Sequence, residues 1–80
     1  MKVFEQIKLI LTDVLDVENI AIDENTNSYD IDEWDSLAHI NIMISISKQF
    51  DIKFSVDEIA SLHNVGAIVE CVERKLENKQ

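Results

Sequence analysis

The chain contains no proline and one glycine, Gly66, in 80 residues. Those two residue types supply the backbone conformations of hairpins and tight loops, so their scarcity argues against a sheet and in favour of helices. Hydrophobic residues make up 46% of the chain, enough for one core but not for a core and a large enzyme cleft together. A single domain spanning residues 1–80 is expected. Cys71, the one cysteine, rules out an internal disulfide and a cysteine-based zinc site, and fits a reducing compartment. No apolar run approaches the roughly 20 residues needed to span a bilayer, and no signal-peptide pattern opens the sequence. The expected location is the cytoplasm.

Apolar periodicity divides the chain into four helical segments. Val3, Phe4, Ile7, Ile10, Leu11, Val14 and Leu15 recur at spacings of three and four, which predicts an amphipathic helix ending near Asp16. Residues 17–35 hold no period: Val17, Ile20, Ile22, Tyr29 and Ile31 are scattered among polar residues, as in a long loop pinned over a core. Asp35 and Ser36 then precede an apolar run to Phe50, the pattern of a capped helix start. The alternation Ile40, Ile42, Ile44, Ile46 within that run also suits a strand. The cap signal and the lack of a partner strand favour helix. Asp51 to Phe54 reads as an extended connector. Ser55-Val56-Asp57-Glu58 is a capping box that opens a short helix ending near Leu62. Asn64 caps a last helix carrying Val65, Ile68, Val69, Val72 and Leu76, with Arg74, Lys75 and Lys79 toward its dipole-negative end. The predicted fold is all-α, a small four-helix bundle (long-long-short-long) with a long loop between the first two helices.

Charge is concentrated in one span. Between Lys8 and Lys48 there is no Lys or Arg, while Asp13, Asp16, Glu18, Asp23, Glu24, Asp30, Asp32, Glu33 and Asp35 all fall there. The other acids and bases cancel, so this span carries the whole net charge of −9. Such a field repels nucleic acid and anionic lipid and attracts basic proteins or cations. Nucleic-acid binding is therefore excluded.

Two chemical readings fail on spacing. Asp23-Glu24-Asn25-Thr26-Asn27 resembles the start of a calcium loop. However, Ser28 stands where the sharp turn needs glycine and Trp34 where a bidentate Glu is required. No dedicated metal site is expected, only weak divalent binding. Ser36 and His39, three apart on one helix face, suggest a nucleophile and a base, but the chain offers little from which to build an oxyanion site or a closed pocket. His39 is expected at the surface or half-buried. Cys71 is expected to be half-buried and unreactive. No catalytic residue is assigned.

Asp35-Ser36-Leu37 at the start of a second helix, after a long acidic loop, resembles the attachment motif of acyl carrier proteins. The resemblance covers nearly the whole chain. The first helix, the long loop, Phe50-Asp51 closing the second helix, the short third helix and Val65-Gly66 opening the last all follow the family's order. It implies a carrier, not an enzyme. Ser36 would receive 4′-phosphopantetheine from coenzyme A through a separate phosphopantetheinyl transferase, with Asp35 and Leu37 completing the motif. The arm's thiol would hold acyl groups as thioesters for acyl-loading and acyl-transferring enzymes of fatty-acid, polyketide or related biosynthesis. Peptidyl or aminoacyl carriage is the alternative within the family. Outside it, the alternative is a small acidic module that binds a basic protein.

The chain departs from the family where Glu33 replaces a common glycine and is followed by Trp34. Its second helix also bears Ala38, Asn41, Ser45, Ser47, Lys48 and Gln49 where housekeeping fatty-acid carriers place acids. It is therefore more similar to freestanding carriers of specialised pathways. Glu33, Trp34, Ala38 and Asn41 are the residues expected to meet partners, with Trp34 equally readable as a core plug, and the carrier is expected to be monomeric. A cleft between the second and third helices, lined by Met43, Ile46, Ile59 and Leu62, is expected to take part of an acyl chain.

Overall fold

The computed structural model describes residues 3–16 and 22–78; Val17, Glu18, Ile20 and Lys79, named above, lie outside them. Four helices follow in order: α1 (Val3–Leu15), α2 (Ser36–Phe50), α3 (Val56–Ser61) and α4 (Val65–Glu77). The fold is the all-α, long-long-short-long arrangement that the periodicity predicts. α1 packs on α2 and α4, and α3 packs on α2.

Local chemistry sets the helix ends. The Asp35 side chain accepts the Ala38 N–H at 2.8 Å, so Asp35 is the N-cap and Ser36 the first helical residue of α2. Ser55 and Glu58 form the reciprocal capping box of α3, with bonds of 3.1 and 2.8 Å. Asn64 caps α4 through the Ala67 N–H at 2.7 Å. α2 ends where Asp51 turns left-handed (φ 53°), a role usually given to glycine, and the amides of Asp51 and Ile52 both return to the Ser47 carbonyl.

The core is built from Ile7, Leu11 and Leu15 of α1, Ile42, Met43 and Ile46 of α2, and Val65, Ile68, Val69 and Val72 of α4. Helical geometry resolves the isoleucine alternation of α2. Residues four apart share a face and residues two apart do not, so Ile42 and Ile46 are fully buried while Ile40 and Ile44 face solvent.

The loop before α2 adds Ile22, Ile31 and Trp34 to the core. Burying side chains of this size stabilises the fold by about 1.5–3 kcal/mol each. Tyr29 is not among these pins; its side chain stands out in solvent. The polar residues of the loop form turns: Asp23 accepts the Asn25 N–H at 2.8 Å, and Asn27 accepts the Tyr29 N–H at 2.8 Å.

The loop is also stitched to the start of α4. Val65 N–H donates to the Thr26 carbonyl at 2.8 Å, Gly66 N–H to that of Glu24 at 2.9 Å, and Ser28 N–H to that of His63 at 2.8 Å. Asn27 and Asn64 form an antiparallel bridge. The first N–H groups of a helix have no partner within it, and here loop carbonyls supply two of them. Gly66 is required by this closeness, since a Cβ there would stand 2.8 Å from the Glu24 carbonyl oxygen.

Candidate functional site

Ser36 sits at the point where the stitched loop becomes α2. Its side chain is exposed, as are those of Asp35 and Leu37. Beside it opens a cleft of about 520 Å³ between the loop, α2 and α3. Trp34, Ile40, Val56, Ile59 and Ala60 make most of its wall, with Ser28, Tyr29 and His63 as polar members.

His39 organises that wall. It is 6% exposed, more deeply buried than the surface or half-buried position expected, because α3 and Trp34 close over it. Trp34 Nε1–H, which can only donate, reaches His39 Nδ1 at 3.0 Å. Nδ1 is therefore unprotonated, and Nε2–H donates to the Ile59 carbonyl at 2.7 Å. Both ring nitrogens are engaged, so His39 is not a base for Ser36. Burial pushes its pKa below the usual histidine value. The Ile59 carbonyl opposes that shift, and His63, stacked at 5.1 Å between ring centroids, adds to it.

The expected partner residues divide. Glu33 and Asn41 are exposed and Ala38 is half-buried. Trp34 is 3% exposed. Its indole is drawn inward by the core and by the bond to His39, so it supports the site from within and offers no outer contact face. The outer face of α2 carries instead Leu37, Ile40 and Ile44, with Val56 of α3 81% exposed nearby in sequence to the cleft-lining Ile59 and Ala60. The sequence signal for the two α2 isoleucines was the Ile40, Ile42, Ile44, Ile46 alternation, which puts apolar residues on more than one face of a helix. No sequence signal pointed to the Trp34–His39–Ile59 chain.

The expected lining of the α2–α3 cleft also changes. Met43 and Ile59 line a second, smaller cavity further along α2, but Ile46 is fully buried in the core and Leu62 packs against it. Asp23 Oδ1 accepts from the Asn25 amide and the Thr26 hydroxyl, and among the described residues no three His, Cys, Asp or Glu side chains are grouped to hold a metal. Cys71 is buried more deeply than expected. Its thiol donates to Glu58 at 3.7 Å, and burial, then the Glu58 charge, raises its pKa. Glu58 itself is held below the usual carboxylate range by its Ser55 and Lys75 hydrogen bonds; Lys75 lies 3.0 Å away.

An exposed serine hydroxyl on the first turn of a helix, at the rim of a mostly apolar cleft, fits covalent loading better than turnover. The family model "Phosphopantetheine attachment site" matches residues 5–72. The chain belongs to this family. It is accordingly an acyl carrier and not a catalyst, and its cofactor is covalent 4′-phosphopantetheine. This sets aside the non-carrier acidic module. A curated acyl carrier protein of Coprothermobacter proteolyticus is 27% identical over 78 residues, covering 98% of this chain and 95% of the relative. The solution NMR structure of a holo acyl carrier protein from Geobacter metallireducens is similar with a TM-score of 0.87 at 35% identity, over 98% of this chain and 90% of that one. Among the described residues no helix is long and apolar enough to cross a membrane.

Proposed function

We propose that Ser36 is the attachment residue of this carrier. The observation that carries the proposal is the placement of its exposed hydroxyl, capped into position by Asp35 at the rim of the 520 Å³ cleft. When bound, the arm supplies a thiol on which acyl groups are held as thioesters. The chain's own residues present and protect. The Ser36 hydroxyl would give up its proton to the transferase and attack the pantetheine-side phosphorus of coenzyme A's diphosphate, so that the P–O–P bond breaks, 4′-phosphopantetheine joins the serine oxygen and adenosine 3′,5′-bisphosphate leaves. The positive end of the α2 dipole then faces the new phosphate. Trp34, Ile40, Ile59 and Ala60 offer an apolar wall to the first carbons of the cargo.

The carrier works in trans, as a cytoplasmic monomer, with acyl-loading and acyl-transferring enzymes of fatty-acid, polyketide or related specialised biosynthesis. Those enzymes meet Leu37, Ile40 and Ile44 together with Asn41 on α2, while Glu33 and its acidic neighbours steer basic surfaces toward Ser36. The absence of Asp and Glu within α2 favours partners that read an apolar helix face.

The test is intact-mass spectrometry after incubation with coenzyme A, Mg²⁺ and a broad-specificity phosphopantetheinyl transferase. One phosphopantetheinyl addition is expected on the native chain and none on Ser36→Ala. An equal gain in Ser36→Ala moves the attachment elsewhere.

A further inference from the structure

Two cavities follow one another along the α2–α3 seam. The cleft beside Ser36 reaches Ile40 on α2, and the second cavity, about 280 Å³, begins at Met43, less than one helical turn further on. Ile59 lines both. His39, in the wall of the first cleft, crosses the seam to this shared residue, its Nε2–H donating to the Ile59 carbonyl at 2.7 Å. The bond ties a side chain of α2 to the backbone of α3, so the two helices cannot part there while it holds. Trp34 braces it from behind through Nδ1, and His63 lies against the imidazole at 5.1 Å.

We infer that His39 determines the length of acyl chain this carrier shelters, acting as a strut across the α2–α3 seam that separates the cleft beside Ser36 from the cavity around Met43. The inference rests on Ser36 being the attachment residue. A short acyl group ends within the first cleft, against Trp34, Ile40 and Ile59. A longer one meets the imidazole and must turn out to solvent, because passing it would strand a buried indole N–H and a carbonyl without partners. Beyond the strut the lining is again largely apolar, with Met43, Ile44, Ile52 and Phe54. Removing the polar pair would therefore join two spaces that already suit hydrocarbon. Glu58 would still hold α3 to α4 through Lys75 at 3.0 Å.

Test the loaded protein by methyl NMR with butanoyl, hexanoyl, decanoyl and dodecanoyl thioesters on the arm. Intact mass first reports whether Ser36 is loaded; failure at that stage overturns the attachment assignment, not the strut. In the native carrier, hexanoyl is expected to shift the Ile40 and Ile59 methyls. Lengthening to dodecanoyl should leave Met43 and Ile44 unmoved. In Trp34→Phe/His39→Leu, which removes both ends of the buried pair, decanoyl and dodecanoyl should shift Met43 and Ile44. His39→Gln, whose amide can accept from Trp34 and donate to Ile59, should restore the native profile. Dodecanoyl shifting Met43 in the native carrier overturns the inference, even if the double variant does not fold. An unchanged length profile in a folded double variant also overturns it.

Discussion

The Gly66→Ala substitution tests whether the loop before α2 is held by the start of α4. A new Cβ would lie 2.8 Å from the Glu24 carbonyl oxygen, closer than such contacts occur, and the obstacle is backbone. The loop must withdraw, lengthening the 2.9 Å bond from Gly66 N–H to Glu24 and straining the neighbouring bond from Val65 N–H to Thr26. Forced overpacking costs about 1–3 kcal/mol, and a weakened hydrogen bond about 0.5–1.5 kcal/mol. Alanine's better helix propensity returns about 0.8–1 kcal/mol. The balance is centred on a net loss of about 2 kcal/mol, which for a domain of this size lowers Tm by roughly 8–16 °C. Chemical and thermal denaturation measure the loss. Amide hydrogen exchange locates it, with faster exchange expected at Ser28, Val65 and Gly66 and little change in the middle of α1. An alanine variant as stable as the native chain would refute the argument, because the loop would then be free to move aside at no cost.

Two further outcomes follow from charge and protonation. His39 binds its proton less readily folded than unfolded, so stability is unaffected by this residue above its unfolded pKa of about 6.5 and declines as pH falls below it, until the folded pKa is passed. Denaturation at about pH 7.5 and pH 5.5 should show this decline in the native chain and a smaller one in Trp34→Phe/His39→Leu. Equal declines would mean that folding leaves the readiness of His39 to bind a proton unchanged. The exposed acids Asp13, Asp16, Asp23, Glu24, Asp30, Asp32, Glu33 and Asp35 repel one another, although Asp23, Asp30 and Asp35 each accept a backbone N–H. Added salt or millimolar divalent cation should raise Tm by screening that repulsion. A flat response would show that the backbone amides already compensate it.

Much of this molecule was legible in the chain because much of it is local. Asp35 with Ala38, Ser55 with Glu58 and Asn64 with Ala67 each act over three residues, so the caps, and with them the helix starts, can be read directly. The periods of α1 and α4 name their buried faces in the same way. The Asp35-Ser36-Leu37 motif is local in the same sense, and its place at the head of α2 is read with the cap. What the tertiary structure decided lies across gaps that no local pattern spans. It turned Trp34 inward and placed His39 between the indole and a carbonyl 20 residues away. It brought Glu24 against Gly66, and it sorted the isoleucines of α2 into Ile42 and Ile46 within and Ile40 and Ile44 outside. Side-chain spacing along a helix is set by the backbone, but which carbonyl or ring meets a given side chain depends on how the helices pack, and that is settled only when the whole core closes.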